Sequence, residues 1–347
     1  MRALGTLVMD GLSPRGGFDG DTPSFGYPFK PLRKPLVSGV IKVKPDDFRV
    51  DEMTSISPTG MGEHDLLQIR KTNTNTDWLA GQLAGFCGIR KMDVGYAGRK
   101  DRMAVTSQWF SCHLPGRQMD WKSFSLPGVE ILSVARHEKK LRKGELEGNR
   151  FEIILRHLLP LEGTSMDTLE QRLVETFEDL QQRGFPNYFG EQRFGAGGRN
   201  IEGALAYFDA QKAMKKSSGR RRRQFKSGKD IYISAARSWL FNTWLSSALA
   251  GGDTGSLQTI DGPLYGDGDD RGIYPEGLAQ QLCAGLDDER AKGARRAAMV
   301  IPENLTWYFE KTALASPPAT ELGELHLSFT LPAGCYATVL LREVVAL

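Results

Sequence analysis

The sequence predicts a mixed α/β (α+β) fold, in which one sheet domain is interrupted by a mostly helical insertion. Two observations predict it. Alternating apolar and polar residues, which are typical of strands, occupy the first half of the chain and return near its end, in residues 325–331. The stretch between them has mostly helical spacing. An insertion into one sheet domain explains this distribution better than two domains in series.

Each element is predicted from its own pattern. Alternation predicts strands, and apolar residues at every third or fourth position predict helices. Thr76 can cap the first helix, which Gly88 ends, and Gly184 ends the second. In chain order the sequence predicts two short strands around a turn at 45–47, a helix over 77–87, strands over 104–112 and 151–155, a helix over 169–180, helical segments over 201–212 and 234–249, a strand over 325–331 and a closing helix over 336–345.

These elements define three regions. Residues 1–36 are expected to form a flexible arm, because residues 1–35 hold six Gly and five Pro without sustained periodicity. The sheet domain is expected to be discontinuous, with residues 37–183 and 312–347. Residues 184–311 are expected to form the insertion.

The composition is that of an ordinary globular protein. The chain has 347 residues, 40% of them hydrophobic and 25% charged, which excludes a disordered chain, a collagen-like repeat and a disulfide scaffold. No run approaches the roughly 20 apolar residues that a membrane helix needs. The net charge of +3 is too close to balance to identify a partner.

The four cysteines lie far apart and form no CxxC pair. This spacing argues against a compact zinc site and provides no disulfide framework. We therefore expect a reducing, cytoplasmic location.

Asp101 is the first candidate for chemistry. It lies in the polar loop of residues 98–102, between predicted strands, and Lys100 and Arg102 flank it. An opposite charge close by favours the ionised carboxylate. Asp101 should therefore be a charged acceptor or nucleophile rather than a proton donor. A solvated surface ion pair is the ordinary alternative for such a loop.

Aromatic residues provide weaker indications. Phe48 and Tyr336 could stack on a base, although an aromatic residue in an alternating strand is more often core, and Asn149 after Gly148 is by itself only a turn signal. Residues 186–195 combine three aromatics, one Arg and two Gly. That mixture suits base stacking on RNA and a domain junction equally well.

The strongest charge signal is the run from Lys212 to Lys229. It holds nine basic residues and no acid in eighteen positions, and its densest part is Arg220, Arg221, Arg222 and Arg223. Phosphate binding is the obvious use of such a run. A solvated loop is the alternative, and both hold if the loop orders only on RNA.

Together these segments resemble one family, tRNA pseudouridine synthase D. The matching stretches are residues 44–52 (KPDDFRVDE), 97–108 (AGRKDRMAVTSQ), 148–151 (GNRF), 187–195 (NYFGEQRFG) and, near the C-terminus, 336–343 (YATVLLRE). The resemblance runs in the same order from about residue 37 to the last residue. Chance similarity does not explain such an ordered match.

The resemblance implies a mixed-sheet pseudouridine synthase catalytic domain that is interrupted by a mostly helical TRUD insertion domain. It also implies the isomerisation of uridine to pseudouridine in tRNA, typically at position 13, without cofactor or metal. The expected partner is tRNA, and neither a membrane nor a protein partner is implied.

The resemblance also implies site residues. By motif matching Asp101 would be the catalytic aspartate. Phe151 would stand where several other pseudouridine synthases carry Tyr, and Tyr336 stands where the family usually has Phe. The residues implied for the substrate pocket are Phe48, Asn149, Phe151, Tyr336 and Lys42. The role of Arg220, Arg221, Arg222 and Arg223 rests on charge alone, because the family's signature segments do not include them.

Two rival functions differ from this one. A tRNA-binding protein without catalysis, an RNA chaperone on the same fold, should have lost the carboxylate at position 101, which this chain keeps. A glycoside hydrolase predicts an acidic cleft and no phosphate-binding run, so the basic run argues against it. Motifs of the GxxxxGK[ST], HExxH and GxSxG types are absent from the sequence.

Overall fold

A computed structural model describes residues 26–161, 166–216, 228–252, 254–310 and 323–347. Within these residues the strands are β1 (Val37–Val40), β2 (Phe48–Met53), β3 (His64–Thr72), β4 (Val94–Tyr96), β5 (Val105–His113), β6 (Val129–His137), β7 (Gly148–Pro160), β8 (Phe185–Pro186), β9 (Asp261–Leu264), β10 (Ala294–Ala297), β11 (Met299–Val300), β12 (Glu303–Glu310), β13 (Glu324–Pro332) and β14 (Val345–Ala346). The α-helices are α1 (Thr76–Cys87), α2 (Met166–Arg183), α3 (Arg199–Lys216), α4 (Lys229–Ala250), α5 (Thr254–Leu257), α6 (Leu278–Asp288) and α7 (Ala337–Leu341).

Ten of the described strands form one mixed sheet. Its main order is β12-β13-β7-β2-β5-β3-β6; outside this order β1 pairs with β7, β4 with β5, and β14 with β1. The pairs β2–β5 and β1–β14 are parallel, whereas the remaining pairs in the sheet are antiparallel. The prediction of a mixed α/β fold with one principal sheet is confirmed.

The sheet has apolar residues on both of its faces. On one side a small core forms where α1 packs on β3 and β5, with Leu67, Ile69, Leu79 and Phe110 completely buried. The larger core combines β2, β7 and β13 with α2, α3, α4 and α6. The helices of the predicted insertion and the sheet therefore share one continuous apolar cluster.

The predicted insertion contains most of the helices and also one strand of the main sheet. Residues 303–310, which the sequence analysis assigned to the insertion, form β12, which pairs with β13 along most of its length. The chain thus returns to the sheet before residue 312. No α-helix among the described residues is long and apolar enough to cross a membrane.

The structure differs from the predictions in several local features. Asn75, not Thr76, caps α1, because the Thr76 hydroxyl bonds to Gln108 and to the Lys100 amide instead. The closing helix ends at Leu341, and Val345 turns back to pair with Val37. The long strands β3 and β6 were not predicted at all.

Candidate active site

The loop before β5 carries Asp101, and its backbone is fastened at several points. We define residues 97–104 as the Asp101 loop. Five hydrogen bonds to other segments hold its backbone: Gly144 N to Ala97 O at 2.8 Å, Gln108 Nε2 to Gly98 O at 3.0 Å, Lys100 N to Thr76 Oγ1 at 3.1 Å, Lys71 Nζ to Asp101 O at 3.1 Å, and Asn73 N to Ala104 O at 3.2 Å. The loop is therefore held by β3, by α1 and by β5 itself.

The Asp101 side chain projects from this rigid base into solvent. It is 54% exposed, and its Oδ2 accepts a hydrogen bond from Lys42 Nζ at 2.6 Å. From the sequence Lys100 and Arg102 were expected to provide the charge that compensates Asp101, but in the structure Lys42 provides it. Lys42 has a left-handed backbone, with φ of 58°, a conformation that costs a non-glycine residue roughly 1–3 kcal/mol. Strain of this kind is typical of functional sites.

Lys100 turns away from Asp101 and forms a second, buried charge pair. Its Nζ lies 2.8 Å from Glu52 Oε2 and donates to Asn149 Oδ1 at 2.6 Å. The Lys100 and Glu52 side chains are only 6% and 1% exposed. Asn149 faces Glu52 across the β2–β7 pair. Because Lys100 occupies the amide oxygen of Asn149, the amide NH₂ group is oriented as a hydrogen-bond donor.

Phe48 and Phe151 lie beneath this polar layer. Both rings are buried and stand edge to face, with centroids 6.2 Å apart, and Phe151 stacks on Phe329 at 5.3 Å. The Lys42 ammonium group lies 4.1 Å above the centre of the Phe48 ring. Phe48 and Phe151, two of the aromatic residues predicted for the pocket, therefore belong to the core. The Lys42 ammonium group covers Phe48.

Tyr336 lies in a different aromatic group, formed with the segment of residues 187–195. Its ring contacts Phe189 edge to face at 6.0 Å, and a Cβ atom on Gly190 would approach it to 2.9 Å. The Arg296 guanidinium group lies 4.1 Å from the Phe189 ring centre and donates to Gly334 O at 3.0 Å. Burial raises the pKa of the Tyr336 hydroxyl, which therefore stays protonated.

Tyr336 and the Asp101 loop are connected through strand ends. Within the described ranges no hydrogen bond or ring contact joins Tyr336 to Asp101. Asn149 is paired with Leu331 at the end of β13, and Ala333 N donates to Glu147 O at 2.9 Å just beyond. The segment that leads to Tyr336 thus begins beside Asn149.

The basic run is mostly outside the described residues. Arg220, Arg221, Arg222 and Arg223 belong to that part. At the two ends, Lys212 is exposed, and Lys229 pairs with Glu289 at 2.6 Å.

One group of metal-ligand side chains occurs among the described residues, at the far end of β12 and β13. His326 Nε2 lies 3.2 Å from Glu310 and 3.6 Å from Glu324, and the Tyr308 hydroxyl contacts His326 Nδ1 at 2.9 Å. Arg156 also pairs with Glu324. The Arg156 guanidinium group thus supplies a positive charge next to this group of side chains.

Two residues of the site were missed from the sequence. Lys71 holds the Asp101 loop, and Glu52 pairs with Lys100. Each stands at a buried position of an alternating strand, where an apolar residue is normal. For Glu52 the charged residue in that register was the available signal, whereas Lys71 lies in β3, which was not predicted.

Comparison with known proteins gives one consistent result. The family model for tRNA pseudouridine synthase D (TruD) matches residues 32–220. A protein of Methylococcus capsulatus named tRNA pseudouridine synthase D is 38% identical, over 88% of this chain and 91% of its own. A protein of the same name from Hydrogenovibrio crunogenus is 35% identical, over 90% of this chain and 94% of its own.

Fold comparison agrees. A crystal structure from Methanosarcina mazei, assigned to tRNA pseudouridine synthase D, superimposes with a TM-score of 0.62 at 19% identity, and covers 90% of this chain and 95% of that one. At this identity the similarity establishes the fold. The family model and the relatives, which match over most of the chain, establish more: the chain belongs to the tRNA pseudouridine synthase D family.

Proposed function

We propose that this chain isomerises uridine to pseudouridine in tRNA, at position 13, with Asp101 as the catalytic carboxylate. The observation that carries the proposal is the Asp101–Lys42 ion pair, which projects from the fastened Asp101 loop and whose ammonium group lies over the buried Phe48 ring, while the neighbouring Lys100 bonds to the Asn149 amide. The names of the curated relatives support the reaction and the tRNA substrate.

The reaction needs an anion and a shaped pocket. The target base first leaves the helical stack, so that side chains reach it. The N1–C1′ bond breaks, the base rotates, a C5–C1′ bond forms, the C5 proton leaves, and N1 takes up a proton, so that the atoms balance. A carboxylate serves whether it attacks C1′ or adds at C6. Because substrate and product are isomers, the overall change needs no external oxidant or reductant.

Lys42 holds the carboxylate in place. Its ammonium group donates a hydrogen bond to Asp101 Oδ2 at 2.6 Å. The same ammonium group occupies the face of Phe48. A uracil ring that stacks on Phe48 must therefore displace Lys42. Exposure of the Phe48 ring thus requires that Lys42, the partner of Asp101, moves.

Asn149 provides recognition. Its oxygen is held by Lys100, and its NH₂ group is directed by that contact. We assign this NH₂ group to a carbonyl oxygen of the flipped uracil. Arg220, Arg221, Arg222 and Arg223 are proposed to contact tRNA phosphates. The catalytic domain with its TRUD insertion remains our proposed division of the chain, with β12 counted in the catalytic sheet.

The direct test is an assay on tRNA transcripts that carry tritium at C5 of uridine. Formation of the C5–C1′ bond releases the label, so the wild-type protein is expected to release one tritium per tRNA, and sequencing should map the product to position 13. A transcript with cytidine at position 13 is the matched control. Tight binding of tRNA without tritium release would instead support the non-catalytic RNA chaperone.

Tyr336 provides a second test, because this chain carries Tyr where the family usually has Phe. If the ring only closes the pocket, Tyr336→Phe should keep nearly full activity. Tyr336→Ala should lower kcat/KM about 5–150-fold, since base–aromatic stacking contributes roughly 1–3 kcal/mol. A collapse of activity in Tyr336→Phe, with tRNA binding intact, would show that the hydroxyl takes part in the chemistry.

A further inference from the structure

Lys71 is a completely buried lysine whose ammonium group contacts the backbone of the Asp101 loop. Its exposed fraction is 0%, and its Nζ donates to Thr74 O at 2.7 Å and to Asp101 O at 3.1 Å. Lysine is rarely buried completely, because removing an ammonium group from water is costly. An apolar side chain would suit packing better, so the ammonium group itself calls for an explanation.

The position of Lys71 in β3 supports this view. Leu67 and Ile69 point from the same face of the strand into the small core beneath α1. Lys71 is the next residue on that face, at the point where β3 leads into the α1 loop. The methylene groups of its side chain continue the apolar row. Its terminal amine bonds both to the β3–α1 loop and to the Asp101 loop.

We propose that Lys71 is a positioning residue, which fixes the Asp101 carboxylate by tying the backbone of the Asp101 loop to the β3–α1 loop. The inference rests on the proposed role of Asp101. Of the five hydrogen bonds that fasten the backbone of the loop, this one ends on the carbonyl of Asp101 itself. It is also the one with a charged donor, and charge-assisted hydrogen bonds are stronger than neutral ones.

The electrostatics of the site agree with this geometry. Burial lowers the pKa of Lys71 to about 8, the charge of Asp101 acts to raise it, and Lys100 acts to lower it. Lys42, in contrast, pairs with the Asp101 carboxylate itself. Lys71 is thus charged at neutral pH and loses its charge in mildly alkaline solution. The hydrogen bond from Lys71 to the Asp101 carbonyl should weaken over the same pH range.

The first test is Lys71→Met in the full chain, assayed by tritium release under steady-state conditions. Met keeps the length and the apolar stem but removes the donor. We expect kcat to fall about 100-fold, the scale of an ångström-sized misplacement of a catalytic group, with KM nearly unchanged. Lys122→Met, which removes an exposed lysine elsewhere, is the matched control and should behave as wild type.

Hydrogen exchange provides a readout that does not depend on activity. In Lys71→Met the amides of residues 97–104 should exchange faster, while those of β5 and β7 keep wild-type rates. Faster exchange throughout the sheet would mean that Lys71 stabilises the fold in general, and would overturn the inference. Wild-type kcat in Lys71→Met would also overturn it.

Two further arms keep the test decisive. If Lys71→Met does not fold, Lys71→Gln retains a polar head, and the same local pattern is expected. The wild-type kcat should also fall as the pH rises through about 8, whereas this decrease should be absent in Lys71→Gln. If the wild type releases no tritium, the proposed function fails, and the exchange data still decide whether Lys71 holds the loop.

Discussion

Replacing Asp101 with Asn is expected to lower tritium release from C5-labelled tRNA by at least about 10³-fold, the scale expected when a principal catalytic group is lost. Asn keeps the size and polarity of the side chain but removes the anion that either chemical route requires. The tRNA affinity should stay within a few fold, because phosphate contacts elsewhere dominate binding. Affinity is measured by filter binding at the salt concentration of the assay.

Stability should not account for this loss. Asp101 is largely exposed, and ion pairs of exposed side chains contribute about 0–1 kcal/mol. The thermal midpoint of Asp101→Asn should therefore match that of wild type. Asp93→Asn, which breaks a pair with Arg90 nearby, is a matched control that should keep full activity. Full turnover by Asp101→Asn would remove Asp101 from the mechanism.

Replacing Asp47 with Ala is expected to cause a large loss of stability, about 3 kcal/mol, as for other buried ion pairs that lose one partner. Asp47 is completely buried, accepts hydrogen bonds from Arg156 at 2.8 and 3.0 Å, and also accepts one from Lys44 N at 3.0 Å. The change leaves the Arg156 guanidinium group without this partner. Denaturant unfolding measures the loss.

Asp46 provides the control for this change, since it is the neighbouring aspartate with the opposite environment. It is 55% exposed, and its partner Arg49 is exposed to a similar degree. Asp46→Ala should change the free energy of unfolding by less than about 0.5 kcal/mol. Equal losses for the two variants would show that burial of Asp47 is not what stabilises this turn.

The Asp47 contribution should also depend on pH. Burial would raise the pKa of Asp47, but the hydrogen bonds from Arg156 and Lys44 outweigh it and hold the pKa below its ordinary value of 3.8. The folded state therefore binds the proton less tightly than the unfolded state. The stabilisation is complete above that ordinary value, and it is lost as the pH falls through the folded-state pKa. The difference between wild type and Asp47→Ala should shrink in that acidic range and stay constant near neutrality.

Much of the fold could be predicted from periodicity, and the exceptions have physical causes. The strand at residues 104–112 and the helix at 77–87 were close to β5 and α1, because their apolar residues keep a clear period. In β3, charged residues at both ends interrupt the apolar stretch. Asp65 is buried there because it bonds to Trp121 and Arg136, partners that only the tertiary structure provides.

The candidate site shows the same division. Asp101 could be identified from its loop and from the family resemblance, but its partner could not. The pairing of Lys100 with Glu52, and of Lys42 with Asp101, depends on which strands lie side by side. The residues adjacent in sequence to Asp101 were the natural candidates for its partner. The parallel pairing of β2 and β5, however, brings the start of β2 beside the start of β5.

The pairing of β7 with β13 has a consequence for the newly made chain. Ribosomes add residues in order, so β7 emerges long before β13, and that edge of β7 has no partner until almost the whole polypeptide has been synthesised. Contacts so distant in sequence slow folding and leave an apolar strand open to aggregation meanwhile. Since the segment carrying Tyr336 follows β13, the proposed substrate pocket would close only after that late pairing. A nascent chain that stalls in the insertion would carry Asp101 and Asn149, yet it would have no completed pocket for a base.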